Sequence, residues 1–139
     1  MASPVAATLL LSDAAVADPS GKIHMLGAGW SVTSAPTPPM AVAMFLKIPW
    51  DRANQRLTLR LELLDADGQP VRPGGGPEAV VIPAEVEVGR PAGVEHGSML
   101  DAAYAISISA LPIPPGRYEW RLTFADQVFS VFFAAKLNA

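Results

Sequence analysis

Leu57-Thr58-Leu59-Arg60-Leu61-Glu62-Leu63 sets an apolar side chain at every second position with a polar one between each pair, and the run closes in Asp65-Ala66-Asp67-Gly68-Gln69-Pro70. A period of two puts the leucines on one face of an extended strand and Thr58, Arg60 and Glu62 on the other, so one face is buried and one is wet. The Asp67-Gly68 step supplies a residue that accepts positive φ and reverses the chain. A strand ending in a tight turn is the unit of an antiparallel sheet, and the rest of the chain repeats it.

Toward the C-terminus, Tyr118, Trp120, Leu122 and Phe124 alternate with Arg117, Glu119, Arg121 and Thr123. Ala125-Asp126-Gln127 makes a turn, and residues 128–135 return as a hairpin partner with Phe129, Val131 and Phe133 facing the same core. Residues 99–110 alternate Tyr104, Ile106 and Ile108 with Ala105, Ser107 and Ser109. Residues 78–89 read as a strand that holds Pro83, which confines it to an edge or a bulge. Between Pro73 and Pro77 stand Gly74, Gly75 and Gly76, a composition that predicts a mobile loop.

Toward the N-terminus, residues 40–49 are apolar at nearly every position, which fits a strand covered on both faces. Pro36, Pro38 and Pro39 before it make a stiff crossover, since each proline fixes φ and lacks a donor. Residues 6–17 and 22–33 read as the first two strands, divided by Asp18-Pro19-Ser20-Gly21. Gly27 and Gly29 inside the second mark a bulge or a close approach, with the ring of Trp30 placed over bare backbone. The sum is about eight strands and no helix of ordinary length, an all-β antiparallel β-sandwich, Ig-like or jelly-roll-like, with residues 1–139 as one domain.

Half of the 139 residues are hydrophobic and 17% are charged, below the roughly 25% of an ordinary soluble domain. Such sparse charge leaves apolar surface to meet protein, so self-association or a larger assembly is expected. The net charge of −3 and the lack of any Lys/Arg run argue against direct nucleic-acid binding. There are no cysteines, which removes disulfides, thiolate metal sites and Cys nucleophiles together. The apolar N-terminal run has no basic residue before it and is broken by Asp13, so it does not read as a signal peptide. No apolar stretch reaches the roughly 20 residues of a membrane span.

Candidate chemistry is thin. Ser98, His96 and Asp101 are too close in sequence to converge as a triad, and no nucleophile elbow is present. His24 sits in an apolar strand. Asp65 and Asp67 are explained by their turn, lacking the later ligands of a calcium loop. Glu85 and Glu87 read as the charged face of an edge strand. Gly74–Gly76 is not followed by Lys and a helix, and Gly27-Ala28-Gly29 lacks the rest of a dinucleotide fingerprint. No enzyme, metal or cofactor is therefore expected. The remaining candidates are contact residues: Trp30, Pro38, Pro39, Trp50 and Gly75, with Trp50 at a strand end as an interface anchor or, alternatively, a ligand- or carbohydrate-binding ring.

Leu9-Leu10-Leu11-Ser12-Asp13-Ala14-Ala15, Asp18-Pro19-Ser20-Gly21-Lys22-Ile23 and Gly27-Ala28-Gly29-Trp30 resemble the start of an uncharacterised family of small β-sandwich proteins from actinobacteria and their phages. Leu111-Pro112 to Arg117-Tyr118 is similar to the lead-in to strands in Ig-like domains. The resemblance implies no active site. It implies a non-enzymatic structural protein working through protein contacts, such as a phage capsid decoration or minor virion protein, located in the virion or the bacterial cytoplasm.

Overall fold

The computed structural model describes residues 3–137, and among them the regular structure is strand with two short 3-10 turns. The leucine run forms β6 (Leu57–Leu64), in which Leu57, Leu59, Leu61 and Leu63 are buried while Thr58 and Arg60 are exposed. It pairs with β7 (Val81–Val86) on one side and β9 (Gly116–Phe124) on the other; β9 pairs in turn with β10 (Gln127–Lys136). Its turn is built as the sequence reads. The Asp65 carboxylate accepts the N–H groups of Asp67 and Gln69 at 2.9 and 3.0 Å, and Gly68 takes φ +74.

The five-stranded sheet runs β4-β10-β9-β6-β7, where β4 is Val32–Ser34. A three-stranded sheet runs β1-β5-β8, from β1 (Ala6–Ser12), β5 (Met40–Ile48) and β8 (Leu100–Ile108). Met40, Val42, Met44, Leu46 and Ile48 of β5 join Leu59, Leu61, Leu63, Trp120, Leu122 and Phe124 of the larger sheet in one apolar cluster. Burying large side chains of this kind, at ~1.5–3 kcal/mol each, dominates the stabilisation. Trp120 is fully buried, and its indole N–H finds no acceptor.

Ala41 and Ala43, on the opposite face of β5, are also buried. A third sheet, the ribbon of β2 (Ala14–Ala17) and β3 (Ile23–Leu26), lies against β5 and β8 and covers that face. Small side chains there, Ala43 beside its partner Ala105, let the ribbon come close.

The ribbon explains two departures from the sequence reading, which expected about eight strands where ten form in three sheets. Residues 6–17 are two strands, because the backbone turns at buried Ser12 and exposed Asp13. The Ser12 hydroxyl donates to the Ala14 carbonyl (3.1 Å), and the Asp13 N–H reaches Leu26 and Gly27 carbonyls at 3.0 and 3.2 Å. Residues 22–33 likewise divide into β3 and β4. The close approach expected at the glycines is real at Gly27, where φ is +62 and a Cβ would overlap the Asp13 carboxylate. Not every pairing is antiparallel, since β4 runs parallel to β10. The edge position read from Pro83 holds, as β7 is the last strand of its sheet.

Candidate functional site

β5 ends at Ile48, and Pro49 leads into a 3-10 turn over Trp50–Arg52. That turn holds Trp50 half-buried, at a strand end as the sequence suggested. The connection between β7 and β8 folds back over it. The Arg90 guanidinium lies 4.6 Å from the centre of the Trp50 ring, and its Nη2 donates to the Trp50 carbonyl at 2.9 Å. The His96 ring stands 5.1 Å from the indole, tilted by 56°. A cleft of about 250 Å³ beside them is lined by Pro49, Trp50, Asp51, His96, Gly97 and Met99, among others. Asp51 is already engaged, accepting from the N–H and hydroxyl of Ser3 at 3.4 and 3.3 Å. A guanidinium over an indole is a favourable contact of ~0.5–1 kcal/mol at an exposed site. Here it is made within the chain, so the ring is partly occupied by its own loop.

The other contact candidates do not gather around Trp50. Pro38 and Pro39 are exposed at the opposite end of β5, roughly 30 Å away for a strand of this length. Gly75 is exposed too, but its loop is tied back: the Gly75 N–H donates to the Arg72 carbonyl and the Gly74 N–H to the Pro112 carbonyl, each at 3.0 Å, with both glycines at positive φ. Trp30 faces inward. Its ring meets Phe133 edge-on at 6.1 Å, and its N–H is buried without an acceptor. It is a half-buried companion of the core.

A second surface came from residues that the sequence reading had not singled out. On the outer face of the five-stranded sheet, Val128 and Phe132 of β10 are 59% and 58% exposed, and Val32 of β4 stands beside Ala134 with 48% exposed. Next to this apolar stripe lies Glu119, a residue that alternation assigns to the polar face and that is nonetheless 8% exposed. Burial pushes its carboxyl up, but the Ser130 hydroxyl and the Arg121 guanidinium, donating at 2.9 Å through Nε, outweigh this and hold it below the usual carboxylate range. The signal for the stripe was present in the run Val128-Phe129-Ser130-Val131-Phe132-Phe133, which carries apolar residues on both faces.

The polar groups capable of chemistry are tied up locally. His24 Nε2 is 2.7 Å from the Asp18 carboxylate, which also accepts from the Ser20 hydroxyl (2.6 Å) and the N–H groups of Ser20 and Lys22. These bonds, the Ser20 hydroxyl and His24 foremost, hold Asp18 far below the ordinary carboxylate range. Asp101 pairs with Lys47, and Glu85 with Arg56. Among the described residues no group of three or more His, Asp or Glu is placed to hold a metal ion. No helix there is long and apolar enough to cross a membrane.

The model of a family described as Family of unknown function (DUF6941) matches residues 7–131. The chain belongs to that family. The matched span takes in the Leu9–Trp30 stretch that carries the sequence resemblance, as well as Trp50, Arg90 and the first half of β10. No curated protein matches the chain.

Proposed function

We propose that this chain is a non-catalytic protein-contact module, a sandwich-like stack of its two larger sheets that works as a component of an assembly. The observation that supports this reading is that Val32 and Phe132, diagonal neighbours on one sheet face, and Val128, beyond Ser130 on the same face, are large apolar side chains left open to solvent. Exposed apolar side chains that adjoin one another mark contact surfaces more often than scattered ones do. The flanking Glu119, Arg121 and Ser130 network provides a satisfied polar margin, which is how protein interfaces are commonly bounded. The reading of Trp50 as a sugar-stacking ring ranks below it, because Arg90 and His96 already occupy the indole.

The test is size in extracts of the native source. A species much larger than the 14.6 kDa chain, lost on Phe132→Glu in a variant that keeps its β-sheet circular dichroism, supports the reading. A wild-type chain running at its own mass in those extracts overturns it. Capsid decoration, the role implied by the resemblance, is one form of this proposal; mass spectrometry of purified virions lacking the chain removes that form.

A further inference from the structure

Charge on the five-stranded sheet is mostly cancelled within the chain. Arg60 pairs with Glu62 at 2.9 Å, Arg121 with Glu119 at 2.9 Å, and Arg56, just before β6, with Glu85 at 3.3 Å. Arg117 of β9 and Lys136 of β10 are different. Among the described residues neither has a carboxylate within ion-pair reach. A chain of net charge −3 therefore carries one small positive corner.

Strand register builds that corner. Ala134 of β10 stands opposite Arg117 on one side and Val32 of β4 on the other, with Phe132 and Lys136 two residues away along its own strand. Side chains two apart on a strand share a face, as do those directly opposite on its neighbours. Ala134 is thus the low floor of a dimple whose walls are Arg117, Val32, Phe132 and Lys136. A cleft of about 470 Å³ opens there, lined by Arg117, Ala134, Lys136 and Leu137 among others. A second cleft, of about 300 Å³, lies on the other side of Arg117 toward Phe132. Its two carboxylates are already engaged: Asp65 accepts from its own turn, and Glu119 from Ser130 and Arg121.

The chemistry of the rim selects its occupant. A guanidinium offers a planar pair of N–H donors that matches a carboxylate, and the neighbouring ammonium adds a second positive charge. Phe132, Val32 and Leu137, all exposed, supply apolar surface beside them. A neutral partner laid over that surface would strip water from two unpaired cations and return nothing, which is costly; an acidic partner restores what they lose. We propose that this corner binds a partner segment in which a carboxylate stands next to a large apolar side chain. The carboxylate sits on Arg117 and Lys136, and the apolar group lies over Ala134 against Phe132 and Val32. This deepens the proposed contact function by giving the partner's chemistry, and it rests on that reading for its biological use.

Short peptides test this on the whole chain. One has blocked ends and a phenylalanine flanked by aspartates; a second has asparagine in place of each aspartate. A third has no aspartate but a free C-terminal carboxylate after its phenylalanine, and binding by it supports the same site with a chain end as the source. Titrated into the isotope-labelled chain, the aspartate peptide is expected to shift the amide signals of residues 32, 117 and 132–136 with a dissociation constant of ~1 mM. The asparagine peptide is expected to bind about tenfold more weakly, as is the aspartate peptide to Arg117→Gln. Ala134→Leu fills the floor and is expected to abolish binding with both cations still in place. No shifts from either carboxylate peptide at ~5 mM, equal binding of the asparagine peptide, or binding that survives Arg117→Gln combined with Lys136→Gln each overturn the proposal. Inorganic phosphate binding as tightly as the aspartate peptide marks a bare anion site, and dilution-dependent shifts at these residues in the free chain mark a second copy as the occupant; each overturns it too. A chain that ignores the peptides yet loses its large native species on Phe132→Glu overturns the acidic occupant while sparing the contact function.

Discussion

Thr37 and Leu111 clasp each other across the chain: the Thr37 N–H donates to the Leu111 carbonyl at 3.0 Å, and the Leu111 N–H returns a bond to Thr37 Oγ1, also at 3.0 Å. Both residues are buried. This pair anchors the Pro36–Pro39 crossover to the loop before β9, while Pro38 and Pro39 beside it stay exposed. Thr37→Val keeps the shape but leaves the Leu111 N–H without an acceptor, which costs about 1–3 kcal/mol. Thr37→Ser restores the acceptor and is expected to recover most of that loss in urea unfolding. Equal stability of the Val and Ser variants excludes the clasp as a stabilising contact.

Arg90 holds the β7–β8 connection on Trp50 through one hydrogen bond and one stacking contact. Arg90→Ala is expected to cost about 1 kcal/mol and to speed amide exchange in residues 87–99 without affecting β5. Arg90→Lys keeps the charge and loses the planar stack, so it should fall between the two. Unchanged exchange in that loop with Arg90→Ala shows that something else holds it.

Gly27 and Asp13 are matched where the β2–β3 ribbon leaves β1. Gly27→Ala meets both an unfavourable positive φ and the Asp13 carboxylate, and about 1–2 kcal/mol of destabilisation is expected. In a double-mutant cycle, Asp13→Ala relieves only the overlap, so the pair should couple while part of the cost persists. Strict additivity in thermal melts means that the two residues do not touch in solution.

Asp18 governs the turn between β2 and β3, and its effect on stability depends on pH. Its folded-state pKa lies below the ordinary 3.8, so the ionised form is the one the turn favours. The contribution is fully present above that ordinary value and declines as pH falls below it toward the folded value. The melting-temperature gap between wild type and Asp18→Asn is expected to narrow steadily as pH falls below about 4. A gap that widens on acidification has the wrong sign for this turn.

How far the sequence could be read depended on the range of the interaction. Alternation identified β6 and β9 with their buried faces, since the period of a strand encodes which side chains point inward. Pro83 identified an edge because a missing donor cannot serve the middle of a sheet. Glu119 shows the limit: its face was right, but its burial comes from Arg121 and Ser130 closing over it. Trp50 was rightly placed at a strand end, whereas Arg90, its principal partner, lies 40 residues away in a loop with no periodic pattern.

The sequence by itself determined an all-β chain with strands near 57–63, 117–124 and 128–135, because side-chain alternation and turn chemistry are local properties. Tertiary structure alone decided that residues 6–17 and 22–33 would each divide, since the alanine face of β5 and β8 needed a cover and the β2–β3 ribbon supplies it. It alone decided that β4 would pair parallel to only the last residues of β10. Which segments meet in space is a property that no local pattern records.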